Sequence, residues 1–325
     1  MENILKNDRI APIWRKTGFL QQIAFPVGLL IVLFACAGAI NPQFLSWDSI
    51  RIQLTLATFI GIAGIGQTLA ILIGQIDLSI PANITLAAIL SANMYGQTSS
   101  SLLAFATALG VGVCTGLLNF AGVAWLRVPS LIWTLSVNLV LQGVTLVYTN
   151  ATAPSSTISP LVRWVVTGSI IGIPALLIFW TLCGTACLLV LHATAFGRRL
   201  YALGNNELAS AMSGVNVFQI YLPVYLTSGI AGSIAGVLLS GYSGQTYLGM
   251  GDSYLLIPIA AVVIGGTSLA GGSGGYFGTL IGSIAVVQLD SLLTSLQVSP
   301  GLRKIFFGII VLGMMLVFRR KRATV

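Results

Sequence analysis

The chain has 325 residues, of which 56% are hydrophobic and 7% charged, and its mean hydropathy is +0.96. Soluble domains carry about 25% charged residues, so a soluble fold of this length is excluded. The formal charge of +8 does not point to nucleic acid, because the basic residues gather beside apolar runs and no basic, aromatic-studded soluble domain exists to carry them.

The apolar stretches are long runs rather than alternating ten-residue segments. They predict an all-α integral membrane bundle instead of a barrel, because each helix satisfies its own backbone hydrogen bonds. A crossing helix needs about 20 apolar residues, and about ten such spans are expected. The first covers about 20–40 and ends at Asn41-Pro42; it reads as a true span, being too long for a signal peptide and lacking a small-residue cleavage site. The second covers about 52–74 and stops at the polar Gly74-Gln-Ile-Asp77. A third, short or broken, begins near Pro81 and ends by Gly96. The fourth covers about 101–124, the fifth follows Arg127-Val-Pro129 to about 149, a polar loop runs to about 165, and the sixth covers about 166–192.

A polar island follows at 193–215, with two adjacent arginines, Arg198 and Arg199. Asn205 or Asn206 is a good N-cap, Glu207 falls in the first helical turn and Gly214 suits a left-handed stop. Leu208, Ala211 and Met212 share one face of the resulting two-turn amphipathic helix. Isolated, so short a helix is marginal, so a docking surface is expected; the alternative is a helix lying on the lipid interface. The seventh span covers about 216–240 and leads into a glycine-rich stretch, Ser240 to Gly251. The eighth, about 254–268, is short and breaks at Gly265–Gly275; the ninth covers about 276–296 and the tenth about 301–318.

Ten spans put both termini on one side. With the termini inside, Lys6, Arg9, Arg15, Lys16, Arg127, Arg198, Arg199, Arg319, Arg320, Lys321 and Arg322 lie inside. Arg51, Arg163, Arg303 and Lys304 lie outside. This basic excess inside supports the orientation and puts the 193–215 loop in the cytoplasm. Residues 1–19 then form a cytoplasmic N-terminal segment, 20–318 the transmembrane domain and 319–325 a basic cytoplasmic tail.

Gly74-Gln-Ile-Asp-Leu-Ser-Ile-Pro81 and Ser243-Gly-Gln-Thr-Tyr-Leu-Gly249 each follow a small-residue-rich span and precede a short or interrupted one. By the span count these two spans start on opposite sides. Two readings stay open: an inverted repeat with broken helices beside a translocation path, or the self-similarity of any glycine-rich text. Glycine itself, at 37 residues, marks close helix packing.

Few residues offer chemistry. No Gly-x-x-x-x-Gly-Lys-Ser/Thr phosphate loop occurs, and the single histidine, His192, has no second histidine for a metal pair. Cys36, Cys114, Cys183 and Cys187 lie inside apolar runs and read as small packing residues. Ionisable residues within or near spans are few; Asp77 and Asp290 stand out, and Asp77 either caps the third span or touches a transported solute.

Four motifs, taken together, resemble the permeases of ATP-binding cassette sugar importers, the ribose-type branch of the branched-chain amino acid and sugar permease superfamily. They are Asn41-Pro-Gln-Phe-Leu45, Gly74-Gln-Ile-Asp-Leu-Ser79, Tyr201-Ala-Leu-Gly-Asn-Asn-Glu207 with Ser213-Gly-Val-Asn-Val217, and Ala260 to Gly274, and the resemblance extends over nearly the whole chain. Gln75 and Asn205 each replace a glycine usual in the family, Ala211 replaces a frequent arginine, and Ile80-Pro81 stands where the family often has Val-Gly.

The resemblance implies a permease fold like the vitamin B12-type importers, in a bacterial inner membrane. It implies a non-enzymatic subunit that holds no cofactor and pairs with a second, identical or different, permease. A cytoplasmic ATPase carrying ATP and magnesium would grip Arg198, Arg199, Gly204, Asn205, Asn206, Glu207, Ser213 and Gly214. An extracytoplasmic binding protein would deliver a monosaccharide or small polyol, and Gln75, Asp77, Ser79, Asn83, Gln245 and Thr267 are the candidates for its path. The alternatives are an amino acid permease of the same type, or a secondary transporter, which would need ion-coordinating groups at mid-membrane that the chain barely offers.

Overall fold

Backbone polar groups in a bilayer must be satisfied inside the protein, and this chain does so with helices almost throughout. The structure is a computed structural model that describes residues 16–152, 154 and 157–322. The expectations for Lys6, Arg9 and Arg15, and for residues 323–325 of the basic tail, lie outside the described residues.

Thirteen α-helices are described. They are α1 (Lys16–Ile40), α2 (Trp47–Leu72), α3 (Ile80–Thr98), α4 (Ser101–Phe120), α5 (Ser130–Tyr148), α6 (Pro160–Thr167) and α7 (Ala175–Ala193). Then follow α8 (Ala195–Asn205), α9 (Glu207–Met212), α10 (Phe218–Ser243), α11 (Ile257–Ile264), α12 (Tyr276–Ser295) and α13 (Pro300–Arg322). Local chemistry sets the ends. Ser46 caps α2 through its Oγ, 3.3 Å from the Ser49 N–H, and Ser100 caps α4 in the same way at Leu103. The last turn of α4 widens into a π-turn over Ala121–Trp125, just before Arg127.

The fold is all-α, as expected, apart from a hairpin of two two-residue strands, β1 (Ser169–Ile170) and β2 (Ile173–Pro174). Among the described residues six helices are long and apolar enough to cross a membrane: α2, α4 with its π-turn, α5, α7, α10 and α12. Two expected boundaries change. The hairpin occupies the start of the expected sixth span, so α7 begins at Ala175 rather than near 166. The expected eighth span holds only the eight residues of α11, about 12 Å of helix, less than half of a bilayer core.

The core centres on α2, where every residue from Ala57 to Ile73 is buried. Glycine makes this possible. A Cβ on Gly66 would come 2.2 Å from the Ser228 Cα of α10, and one on Gly229 of α10 would come 2.0 Å from the Gly112 oxygen of α4. Backbones therefore touch where lipid offers no hydrophobic drive between helices. Helices α2 and α10 are both 26 residues long and run antiparallel, with Gly66 beside Ser228 and Phe59 beside Tyr242. Helix α10 packs on α3 and α4, while α2 packs on α11 and α12; α3 also packs on α4 and α5, and α11 on α12 and α13.

Candidate functional site

The chain is non-helical between α2 and α3, and the sequence explains how. Gly74 takes φ +75 and lets the chain reverse; the Gln75 N–H bonds back to the Ala70 carbonyl at 2.9 Å. The next backbone groups need partners that a helix would have supplied. Ser130, Thr134 and Asn138 stand four residues apart on one face of α5. Their oxygens accept from the N–H groups of Ile76 (3.3 Å), Leu78 (2.9 Å) and Ala82 (3.0 Å).

Asp77 is buried at the centre of this break, with 2% of its surface exposed. Its Oδ1 accepts from the Ser79 N–H (2.9 Å), the Ser79 Oγ (2.6 Å) and the Asn119 Nδ2 of α4 (3.2 Å). Its Oδ2 accepts from the Ser228 Oγ of α10 at 2.6 Å. The expectation that Asp77 caps the third span is corrected: Ser79 occupies the cap position, without a side-chain cap bond. Asp77 lies two residues too early, so its carboxylate turns the chain at Ser79 and ties it to α4 and α10. Nearby, Asn83 of α3 donates to the Gly229 carbonyl at 2.7 Å. The side-chain oxygens of Asn83 and Asn119 are buried without a hydrogen-bond partner.

Gln75, Asp77, Ser79 and Asn83 are thus brought together; Gln245 and Thr267 are not. Gln245 is exposed beyond the far end of α10, where its carbonyl accepts from the Ser243 Oγ. Thr267 is fully buried in the turn after α11, its Oγ1 accepting from the Gly275 N–H at 3.2 Å. A second break, residues 244–256, turns inward from that far end. Its Gly251 packs on the Pro81 backbone at the start of α3 and donates to the Thr85 Oγ1 at 2.9 Å.

The polar island folds as two helices, α8 and α9, rather than one. The arginines are helical because Thr194, unnoticed in the sequence, caps α8 through its Oγ1 at the Gly197 N–H. Gly204 does not break that helix; it lets α8 press against the end of α2, where a Cβ would come 1.8 Å from the Leu72 oxygen. Asn205 Nδ2 reaches the Gly272 carbonyl at 3.2 Å, and the Tyr201 hydroxyl donates to the Gly274 carbonyl at 2.9 Å. Burial, with a smaller contribution from Cys187, pushes the Tyr201 phenol up to about 12, so it is a neutral donor at physiological pH. Helix α8 is therefore seated on both the end of α2 and the glycine turn 265–275.

Asn206, not Asn205, caps α9, with its Oδ1 3.0 Å from the Ala209 N–H, and Gly214 takes the expected left-handed conformation at φ +84. The expected apolar face exists and points outward: Leu208 is 73% and Met212 83% exposed. Arg198, Arg199, Glu207 and Ser213 are exposed as well. At the opposite end of the bundle Asp290 pairs with Arg303 at 3.1 Å. All four cysteines are free.

Residues 49–315 match the family described as the branched-chain amino acid transport system permease component. The chain belongs to this family. It is 35% identical over 296 residues to the ribose import permease protein RbsC of Escherichia coli (strain K12), covering 90% of this chain and 92% of that one. It is 33% identical over 308 residues to the RbsC of Bacillus subtilis (strain 168), covering 94% and 95%. A more distant relative is the autoinducer 2 import system permease protein LsrC of Salmonella paratyphi B (strain ATCC BAA-1250 / SPB7), 27% identical over 90% of this chain and 84% of its own. No solved structure matches. The resemblance to ribose-type permeases carried by the four motifs is borne out along nearly the full chain.

Proposed function

We propose that this permease is the membrane subunit of an ATP-binding cassette importer that moves ribose, or a related monosaccharide or small polyol, inward by alternating access. The observation that carries the reading is the placement of α8 and α9. A helix pair with an exposed apolar face and exposed arginines sits directly on the end of α2, next to the buried polar break at 73–79. Among the described residues nothing covers Leu208 and Met212, and a separate ATPase holding ATP and magnesium is the partner that fits. The names of the ribose relatives support the sugar.

In this reading the α8–α9 end and both termini are cytoplasmic, in a bacterial inner membrane, and an extracytoplasmic binding protein docks at the end bearing Asp290 and Arg303. A second permease subunit, identical or different, completes the path. The bundle is an inverted repeat of the vitamin B12-importer kind, with α1, α3, α11 and α13 completing ten membrane segments. The packing supports this: α10 with α3 and α4 matches α2 with α11 and α12, and the two breaks enter from opposite ends. The unpartnered oxygens of Asn83 and Asn119 are acceptors for a hydroxylated solute passing the break. Asp77 is the one buried carboxylate among the described residues, and its oxygens are already engaged by four donor groups. That disfavours an ion-coupled secondary transporter.

The test is capture of the ATPase. Arg198→Glu and Leu208→Glu should each lower the amount of ATPase that co-purifies by about tenfold, as for central interface residues, while membrane insertion stays normal. Full capture with both changes would contradict the role of α8 and α9.

A further inference from the structure

Helix α9 is joined to the buried break by one side chain that the functional reading does not use. Tyr221 lies in the second turn of α10, 3% exposed. Its hydroxyl donates to the Glu207 Oε2 of α9 at 3.2 Å and accepts from the Gln75 Nε2 at 3.1 Å. A phenol has one proton to give. Here the donor goes to the exposed carboxylate and the lone pair to the amide, so the chain Glu207–Tyr221–Gln75 has a fixed direction. Gln75 is two residues from Asp77, whose carboxylate fastens the break to α4 and α10.

The surroundings leave this linkage free to act. It forms one wall of a cavity of about 620 Å³, also lined by Arg127, Leu208, Ala211 and Phe218. Helix α9 packs on α8 and leaves Leu208 exposed, and the Tyr221 hydroxyl ties its Glu207 to α10. Arg127, at the rim, holds a left-handed backbone at φ +55, a strained conformation for a side chain of this size.

We propose that Tyr221 is a positioning residue that couples α9 to the break at 73–79, transmitting displacement of α9 to Gln75 and from there to the Asp77 fastening. This rests on the reading of α9 as the contact of a separate ATPase. Either bond lost would leave α9 able to dock and move without carrying the break with it.

The experiment uses the whole importer in vesicles: this permease with the ATPase and binding protein it assembles with, supplied with ribose. Tyr221→Phe keeps the ring and removes the hydroxyl. It should leave ATPase capture and thermal stability at wild-type levels while ribose moved per ATP hydrolysed falls about tenfold, the scale of one hydrogen bond to a charged group. Gln75→Ala should give the same loss, and the double variant no further loss, because both act through one chain. A merely structural role would lower transport and hydrolysis together and leave their ratio intact. An unchanged ratio in Tyr221→Phe, or additive losses in the double variant, would overturn the coupling. Wild-type vesicles that take up ribose without ATP would overturn the importer reading, and the coupling with it; normal wild-type coupling beside an unaffected Tyr221→Phe would overturn the coupling alone.

Discussion

The two breaks that meet at the start of α3 are held by opposite means. The first, 73–79, is fastened by side chains: two α5 oxygens take its Ile76 and Leu78 N–H groups, a third takes that of Ala82 in the first turn of α3, and Asp77 gathers donors from Ser79, Asn119 and Ser228. The second, 244–256, reaches the same place mainly by having no side chain at Gly251, with a single bond to Thr85 from its backbone. Its outer part, including Gln245 and Tyr247, is exposed. The contrast teaches that irregular backbone at membrane depth can be stabilised by borrowed hydrogen bonds or by close backbone approach, and that the two respond to different substitutions.

The largest expected effect is at the first break. Asp77→Ala strands the Ser228, Ser79 and Asn119 donors in a buried site, and the fold should lose about 3 kcal/mol or more, read from thermal unfolding in detergent. A loss below about 1 kcal/mol would show that the polar fastening is not what holds the segment. At the second break Gly251→Val forces a Cβ to within 2.0 Å of the Pro81 oxygen. Overpacking of this kind should cost about 2 kcal/mol. A neutral result would mean that 244–256 can withdraw from α3 without penalty. Thr134→Val leaves the Leu78 N–H without its acceptor and should cost about 1–2 kcal/mol in the same assay. The smallest effect is at Gln245→Ala, where exposure predicts a change within about 0.5 kcal/mol and unchanged ribose uptake. A large fall in uptake with stability intact would put Gln245 back on the solute path.

Much of this was legible in the chain. The low charge and long apolar runs dictated a helical membrane bundle, and the Gly-Gln-Ile-Asp and glycine-rich stretches marked where helices stop. Boundaries slipped where local chemistry outweighed hydropathy. Gly172 at φ +80 closes a hairpin inside an apolar run, which hydropathy alone reads as helix. Thr194 begins α8 one residue after α7 ends, so the polar island became two helices in place of a loop and a helix.

The site was half legible. Asp77 was recognisable as a buried acid, but its partners come from α4 and α10, 42 and 151 residues away, and no local pattern reveals them. The polar stripe of α5 did carry a signal: Ser130, Thr134 and Asn138 recur every fourth residue in a mostly apolar helix, the spacing of one helix face. Tyr221 gave none, since an aromatic residue near the start of an apolar helix is ordinary. Gln245 and Thr267 were grouped with Asp77 by their glycine-rich surroundings, yet such surroundings mark turns at both ends of the bundle.

The most direct test of the account is ribose uptake by vesicles that hold this permease with the ATPase and binding protein proposed for it, measured with and without ATP on the face bearing α8 and α9. The account predicts uptake that requires ATP and the binding protein and ignores sodium and proton gradients. Uptake driven by either gradient without ATP would contradict it.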